Sequence, residues 1–381
     1  MLSRRNFLGA LAFGGASFIR PSLLRSEDGL GILANAPKPI PIPYVLKAIS
    51  DDRRGLYMTA AVASSKNHQK RDAILRLLET TELNTIVIDV LEDTPMFYPE
   101  TKVVVEALKK KGVWCIARLV TCLNNDAARK YPGSVITRNG TPWSCGGSKG
   151  LDPGSRDLWN YMVDKSKEAI QFGFDELQYD YIRFQSDCRA REAYYPYSHG
   201  RSRRDVMREF FEYLTTNVRA SSPSTPLAVD VFGEAVLQGA GEIMKKEVGQ
   251  FYGDIVDYFD IICPMVYPSH YAPGSFGVPV PNAEPYKVIH GGLEFFADYL
   301  RTHAVRARVR PWLQYFSVCN YAMTALKDGT AVCKPGGFVD YNEHMIFEER
   351  RAIKDLTITG FMYWNARNIY NQGGIRPKQT S

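Results

Sequence analysis

From residue 55 onward, short apolar runs alternate with longer amphipathic stretches. The runs read as strands: Gly55–Ala63, Asn84–Val90, Val113–Thr121, Gly173–Phe184, Pro226–Phe232, Asp260–Tyr267, Val309–Phe316 and Ile358–Asn365. Several, such as NTIVIDV and VWCIARLVT, are almost continuously apolar, as strands buried on both faces are. The stretches between them carry apolar residues at helical spacing. They predict helices over Gln69–Glu79, Thr101–Lys111, Ser155–Phe172, Arg204–Ala220, Gly241–Phe259, Glu284–Ala304 and Glu343–Lys354. Ser155 supplies an N-cap and Gly112 a helix stop. Gly291-Gly292 predicts a break in the sixth of these helices, and Pro264 a distortion in the sixth strand.

About eight strand–helix alternations over roughly 310 residues fit one α/β domain, a (β/α)8 TIM barrel. The longest insertions follow strands three, four, six and seven, which puts extended loops on the C-terminal rim. The competing open doubly wound sheet lacks support, since no GxGxxG follows the first strand. The expected organisation is a signal segment over 1–36, an extended proline-rich linker over 37–54, a single barrel over 55–370 and a tail over 371–381.

The fourth run, GFDELQYDYIRF, is the most unusual. Strand alternation puts Glu176, Gln178 and Asp180 on one face, and Asp175, Leu177 and Tyr179 on the other. Three polar residues on one buried face are costly unless that face opens on a site. Asp180 lies at the exposed C-terminal end. Glu176 lies deeper, and Asp175 faces the helix side.

Other strands also end on acids: Asp89 on the second, and Asp230 on the fifth with Glu234 just beyond. In a barrel these ends meet on one rim. Two carboxyl groups a few ångströms apart provide what glycosidic cleavage needs, a proton donor and a nucleophile or water-activating base. The candidate catalytic residues are therefore Asp180 and Asp230, with Glu234 as substitute for Asp230. The bland alternative makes these acids helix caps or ion-pair partners of Arg118 or Arg183. Arg183 is expected to orient a carboxylate or lower its pKa. Glu176, Gln178, Asp89, Tyr267, His270, Trp312, Gln314, Trp364 and Asn365 are the remaining candidates for substrate contact. Tyr57, Trp143, Tyr271 and Tyr315 add to an aromatic rim, of which about half is expected to be ordinary core.

The six histidines form no HxH or HExxH pair, and no GxSxG elbow or P-loop occurs, so neither a metal nor a cofactor is expected. The N-terminal SRRNFLG, followed by an apolar run to Ile19, reads as a twin-arginine export signal. That run is short and glycine-rich for a permanent membrane span. The expected location is periplasmic or secreted, with the twin-arginine machinery as export partner. The formal charge is +6; four arginines against two acids in the first 36 residues leave +4 beyond them, too mild to suggest nucleic-acid binding. The loop from Arg189 to Arg208 is basic and tyrosine-rich, and reads as a solvated face. Seven cysteines without a CxxC allow disulfides but leave at least one thiol unpaired in a monomer.

GFDELQYDYIRF, DIICPMVYPSHY, RPWLQYF and GFMYWNA, in that order, resemble a family of exported glycoside hydrolase-like proteins with TIM-barrel folds, long catalogued as a domain of unknown function. The resemblance spans roughly Gly55 to Asn368. Its fourth-strand motif resembles FDYIRFP; here Tyr179 stands where Phe is common and Gln185 replaces the proline, while Asp180 to Phe184 match. The resemblance implies a barrel acting on polysaccharide. A glycan-binding barrel without turnover and an envelope scaffold for protein partners are the alternatives.

Overall fold

The computed structural model describes residues 48–64, 68–91, 98–327, 330–371 and 373–378. The expected signal segment, most of the expected linker and the last three residues of the tail lie outside them. Eight parallel strands form the barrel: β1 Arg54–Met58, β2 Thr85–Leu91, β3 Trp114–Val120, β4 Glu176–Asp180, β5 Leu227–Phe232, β6 Ile261–Met265, β7 Trp312–Gln314 and β8 Phe361–Trp364. Each pairs with the next, and β8 returns to β1 through Gly55↔Met362, so the sheet closes and has no free edge. The helices α1 Gln69–Thr80, α2 Pro99–Lys110, α3 Arg156–Phe172, α4 Arg203–Ser221, α5 Gln238–Glu247, α6 Tyr252–Tyr258, α7 Pro285–Thr302 and α8 Glu343–Asp355 lie between them. Chain alternation and closed parallel pairing together make this a (β/α)8 barrel.

Two apolar regions hold it. The larger packs strand faces against helices, with Leu56, Ile86, Leu177 and Leu313 fully buried. The smaller fills the barrel interior with Tyr57, Val87, Ile116, Cys263, Trp312 and Met362. Asp175 lies on the helix side, where it accepts from the Cys115 amide and pairs with Lys109 at 2.8 Å.

The local differences from the sequence reading have packing causes. The first strand stops at Met58, because Thr59 caps a short helix over Ala60–Ala63. Helix α7 runs unbroken through Gly291 and Gly292. A side chain at Gly291 would lie 2.5 Å from the Phe276 ring, so this glycine permits close packing instead of a break. Strand β6 pairs in register through Pro264; the register shift falls between Asp89 and Leu91. The stretch 241–259 is two helices, separated at Gly249 (φ +79°).

The long loops are covalently tied. Cys145–Cys188 joins the loop after β3 to the loop after β4, and Cys319–Cys333 closes the loop after β7. Cys115, Cys122 and Cys263 are buried free thiols, and burial pushes the first two up to about 12. Among the described residues no helix is long and apolar enough to cross a membrane.

Candidate active site

Arg118, near the end of β3, is the hub of the rim. Its Nη1 donates to Asp89 Oδ1 at 2.6 Å, and its Nε to Asp180 Oδ2 at 3.0 Å, with Nη2 on the same oxygen. The same Nε stands 3.9 Å from Asp230 Oδ2. Barrel register makes this possible: Asp89 pairs with Arg118 across β2–β3, and Asp180 with Val120 across β3–β4. The Tyr57 hydroxyl, from β1, donates to the second oxygen of Asp89. Asp180 Oδ2 and Asp230 Oδ2 are 3.0 and 3.9 Å from one nitrogen, so they are at most 6.9 Å apart.

The two carboxylates differ in setting. Asp180 has its Oδ2 on Arg118 and its Oδ1 on the Tyr181 amide at 2.6 Å. Asp230 is fully enclosed. Its Oδ1 accepts from Trp312 Nε1 at 2.7 Å and from Gln178 Nε2, while its Oδ2 is buried without a hydrogen bond. Burial, then the charge of Asp180, pushes the Asp230 carboxyl well above the usual range, against the opposing pull of Arg118, Trp312 and Gln178. Gln250 fixes the strand from behind, donating to Asp230 O at 3.2 Å and accepting the Phe232 amide at 3.1 Å. It lies in the α5–α6 break, so that break supports the site.

An aromatic wall flanks these acids. Trp364 lies 6.1 Å from Tyr57, 5.8 Å from Tyr267 and 5.4 Å from Phe316, measured between ring centres. His270 sits between Tyr267 at 5.0 Å and Tyr321 at 4.1 Å, with Ser269 Oγ 3.0 Å from its Nδ1. Burial pushes its imidazole down to about 3, so it is neutral at ordinary pH. Burial, Asp230 and Asp180 together raise the Tyr267 phenol well above its ordinary value.

Several expected site residues have other work. Glu176 closes the opposite, N-terminal end of the barrel. It pairs with the fully buried Arg310, which also reaches Asp51, and it accepts from Trp114 Nε1 at 3.0 Å. Arg183 pairs with Asp187 at 3.9 Å and donates to Phe184 O and Ser186 Oγ; the arginine at the carboxylates is Arg118. Gln314 accepts the Ser269 amide and donates to Asn282 Oδ1 and Phe316 O. Asn365 donates to Tyr315 O and Ile369 O and accepts the Arg367 amide. These amides brace loops and have no donor left for a hydroxyl. Glu234 is half-buried on the turn after β5, with its carboxyl raised by burial, and no ion pair joins it to the Arg118 cluster. Trp143, Tyr271 and Tyr315 are core; Trp143 donates to Cys188 O beside the disulfide. In the basic loop, Arg191, Arg201, Arg204 and Arg208 are ion-paired, the last two with the same Asp254, and Arg203 donates to Glu247 O.

The expected result for Glu176→Gln follows from its position. It leaves Arg310 with only the more distant Asp51, and breaking a buried pair costs about 3–5 kcal/mol. Chemical denaturation should show that loss, while kcat of the folded protein stays near wild type.

Tyr321, Phe316 and Gln250 were missed by sequence reasoning. Tyr321 comes from a loop with no periodic pattern, Phe316 closes the seventh predicted strand and Gln250 falls inside the helix predicted over 241–259; only the barrel closure and the break in that helix bring them to the rim. Arg118 carried a signal: an arginine inside an otherwise apolar strand demands an acidic partner.

A closed (β/α)8 barrel whose C-terminal rim holds paired carboxylates beside aromatic rings is the architecture of a glycoside hydrolase. The chain belongs to the family described as "Putative glycosyl hydrolase domain", whose profile matches residues 94–370. Among solved structures, it is similar to a β-galactosidase from the psychrophilic Marinomonas ef1 (12% identity, 82% of this chain, 54% of that one, TM-score 0.55). A cold-adapted β-galactosidase from Rahnella sp. R3 is similar at 10% identity over 86% of this chain and 52% of that one, TM-score 0.52. The glycoside hydrolase domain of PelA from Pseudomonas aeruginosa matches at 11% identity over 83% of this chain and 96% of that one, TM-score 0.46. At these identities the likeness to the two β-galactosidases is one of fold. This chain spans about half the length of the two β-galactosidases. No curated protein matches it.

Proposed function

We propose that this protein cleaves a glycosidic bond in an extracellular or envelope polysaccharide by a two-carboxylate mechanism. The observation that carries the reading is the convergence of Asp180 and Asp230 on one arginine, with the proton favoured on Asp230. Asp230 is the acid that protonates the leaving oxygen. Asp180, ion-paired to Arg118 and nearer the opening, is the nucleophile or the base that activates water. Arg118 screens the two carboxylates from each other, and Tyr57–Asp89 holds Arg118 in place. Gln178 and Trp312 orient Asp230. Trp364, Tyr267 and Tyr321 offer ring faces to a sugar, and neutral His270 offers a hydrogen bond without a charge.

Export through the twin-arginine route to the periplasm or beyond is part of the same proposal. Its support is SRRNFLG at the N-terminus together with two disulfides, which oxidising compartments favour. A barrel that only bound glycans would need the aromatic wall and no paired acids.

The test is a panel of bacterial and host-surface polysaccharides, assayed for new reducing ends. Release from at least one polymer is the expected outcome, and silence across the panel with binding retained would favour the binding protein. The anomer of the first product, read by NMR, reports whether Asp180 attacks directly or through water.

A further inference from the structure

The backbone immediately after Asp180 is unusual. Tyr181 has φ +51°, in the left-handed region that a bulky residue rarely adopts. Such a conformation persists only when its surroundings impose it. Here they do so from three sides. The Thr121 amide donates to Asp180 O at 2.9 Å, and the Cys122 amide to Tyr181 O at 3.1 Å, so the β3 chain grips both carbonyls beyond the regular ladder. The Arg183 guanidinium lies 5.0 Å from the Tyr181 ring centre. Ile182 and Phe184, which follow, are buried, and the Phe184 amide bonds to Val248 O at 3.0 Å.

The turn has a chemical consequence. The Tyr181 N–H shares a peptide plane with Asp180 O, which the Thr121 amide holds, and it meets Oδ1 of Asp180 at 2.6 Å. The left-handed φ then turns the chain so that the next carbonyl, Tyr181 O, reaches the Cys122 amide while that plane stays in place. With Oδ1 held there, Oδ2 is the oxygen that meets Arg118.

We propose that Tyr181 is a positioning residue: its left-handed φ lets the chain leave the strand while the Asp180–Tyr181 peptide plane stays fixed, with its N–H on Asp180 Oδ1 and Oδ2 left to Arg118. The proposal rests on the reading of Asp180 as catalytic. It adds that orientation comes from the backbone amide, with the ring and Arg183 only holding the turn. Preorganisation of this kind matters because a misplacement of about 1 Å can cost roughly 100-fold in rate.

The test compares substitutions by their tolerance of positive φ. Tyr181→Gly and Tyr181→Asn adopt it readily, whereas Tyr181→Val does not. Crystal structures should show Asp180 Oδ2 still on Arg118 in the Gly and Asn variants and displaced in the Val variant. On a hydrolysed glycan, kcat of Tyr181→Val should fall about 100-fold with KM little changed, while Gly and Asn keep activity to within a few-fold. Melting temperatures check that each variant is folded. Asp180 unmoved in the Val variant, or Gly losing as much kcat as Val, would overturn the proposal. If the wild-type protein hydrolyses no glycan, the hydrolase reading falls, and the three structures alone decide the positioning claim.

Discussion

Asp180→Asn is expected to lower kcat by about 10³-fold on any glycan the wild-type protein hydrolyses, with the fold intact. Asparagine keeps the shape of the side chain but cannot act as nucleophile or base. The structural cost is smaller than for a typical buried pair. Removing one partner of such a pair costs about 3–5 kcal/mol because a charge is left uncompensated. Here Arg118 keeps Asp89, at 2.6 Å, and has Asp230 nearby. The loss should therefore stay near that of a charged hydrogen bond, about 1.5–3 kcal/mol, within the roughly 5–15 kcal/mol of a stable domain. Steady-state kinetics together with circular dichroism check both halves. Unchanged hydrolysis would remove Asp180 from the mechanism.

Asp230→Asn separates catalysis from stability in the opposite direction. Its carboxyl is raised well above 3.8 by burial and by Asp180, so the folded protein favours the protonated form more than the unfolded chain does. The linked stability is fully present below the unfolded value and is lost as pH rises through the folded one. Wild-type protein should therefore lose stability over that interval relative to Asp230→Asn, which has no proton to lose. Glu176, Glu234 and Glu349 are raised in the same direction, but they are common to both proteins and cancel in the comparison. The variant should also lose about 10²–10⁴-fold in kcat for lack of an acid. Melting curves across pH, run beside the kinetics, check this. A difference in melting temperature that does not change with pH would mean that Asp230 ionises in the folded protein as it does in the unfolded chain.

Much of the fold was legible because strand and helix periods are local properties of the chain. The fourth strand shows how far that reaches. Alternation put Glu176, Gln178 and Asp180 on one face, and all three do face the barrel interior. It could not say that a five-residue strand spans the barrel from end to end. Glu176 therefore meets Arg310 at the bottom, Gln178 braces Asp230 in the middle, and Asp180 reaches the rim. Side-chain type was a weaker guide. Gln314 and Asn365 looked like hydroxyl binders, yet irregular loops leave backbone groups that need partners, and these amides supply them.

The sequence by itself determined the order of elements, the inward face of the fourth strand and the acids at the strand ends, since these follow from spacing along the chain. Only the tertiary structure decided the partners. It matched Arg118, not Arg183, with Asp180, joined Cys145 to Cys188 and Cys319 to Cys333, and buried Asp230 beside a second carboxylate. Each of these depends on the register in which eight separate strands close, so that residues as far apart as 118 and 230 share one nitrogen's surroundings.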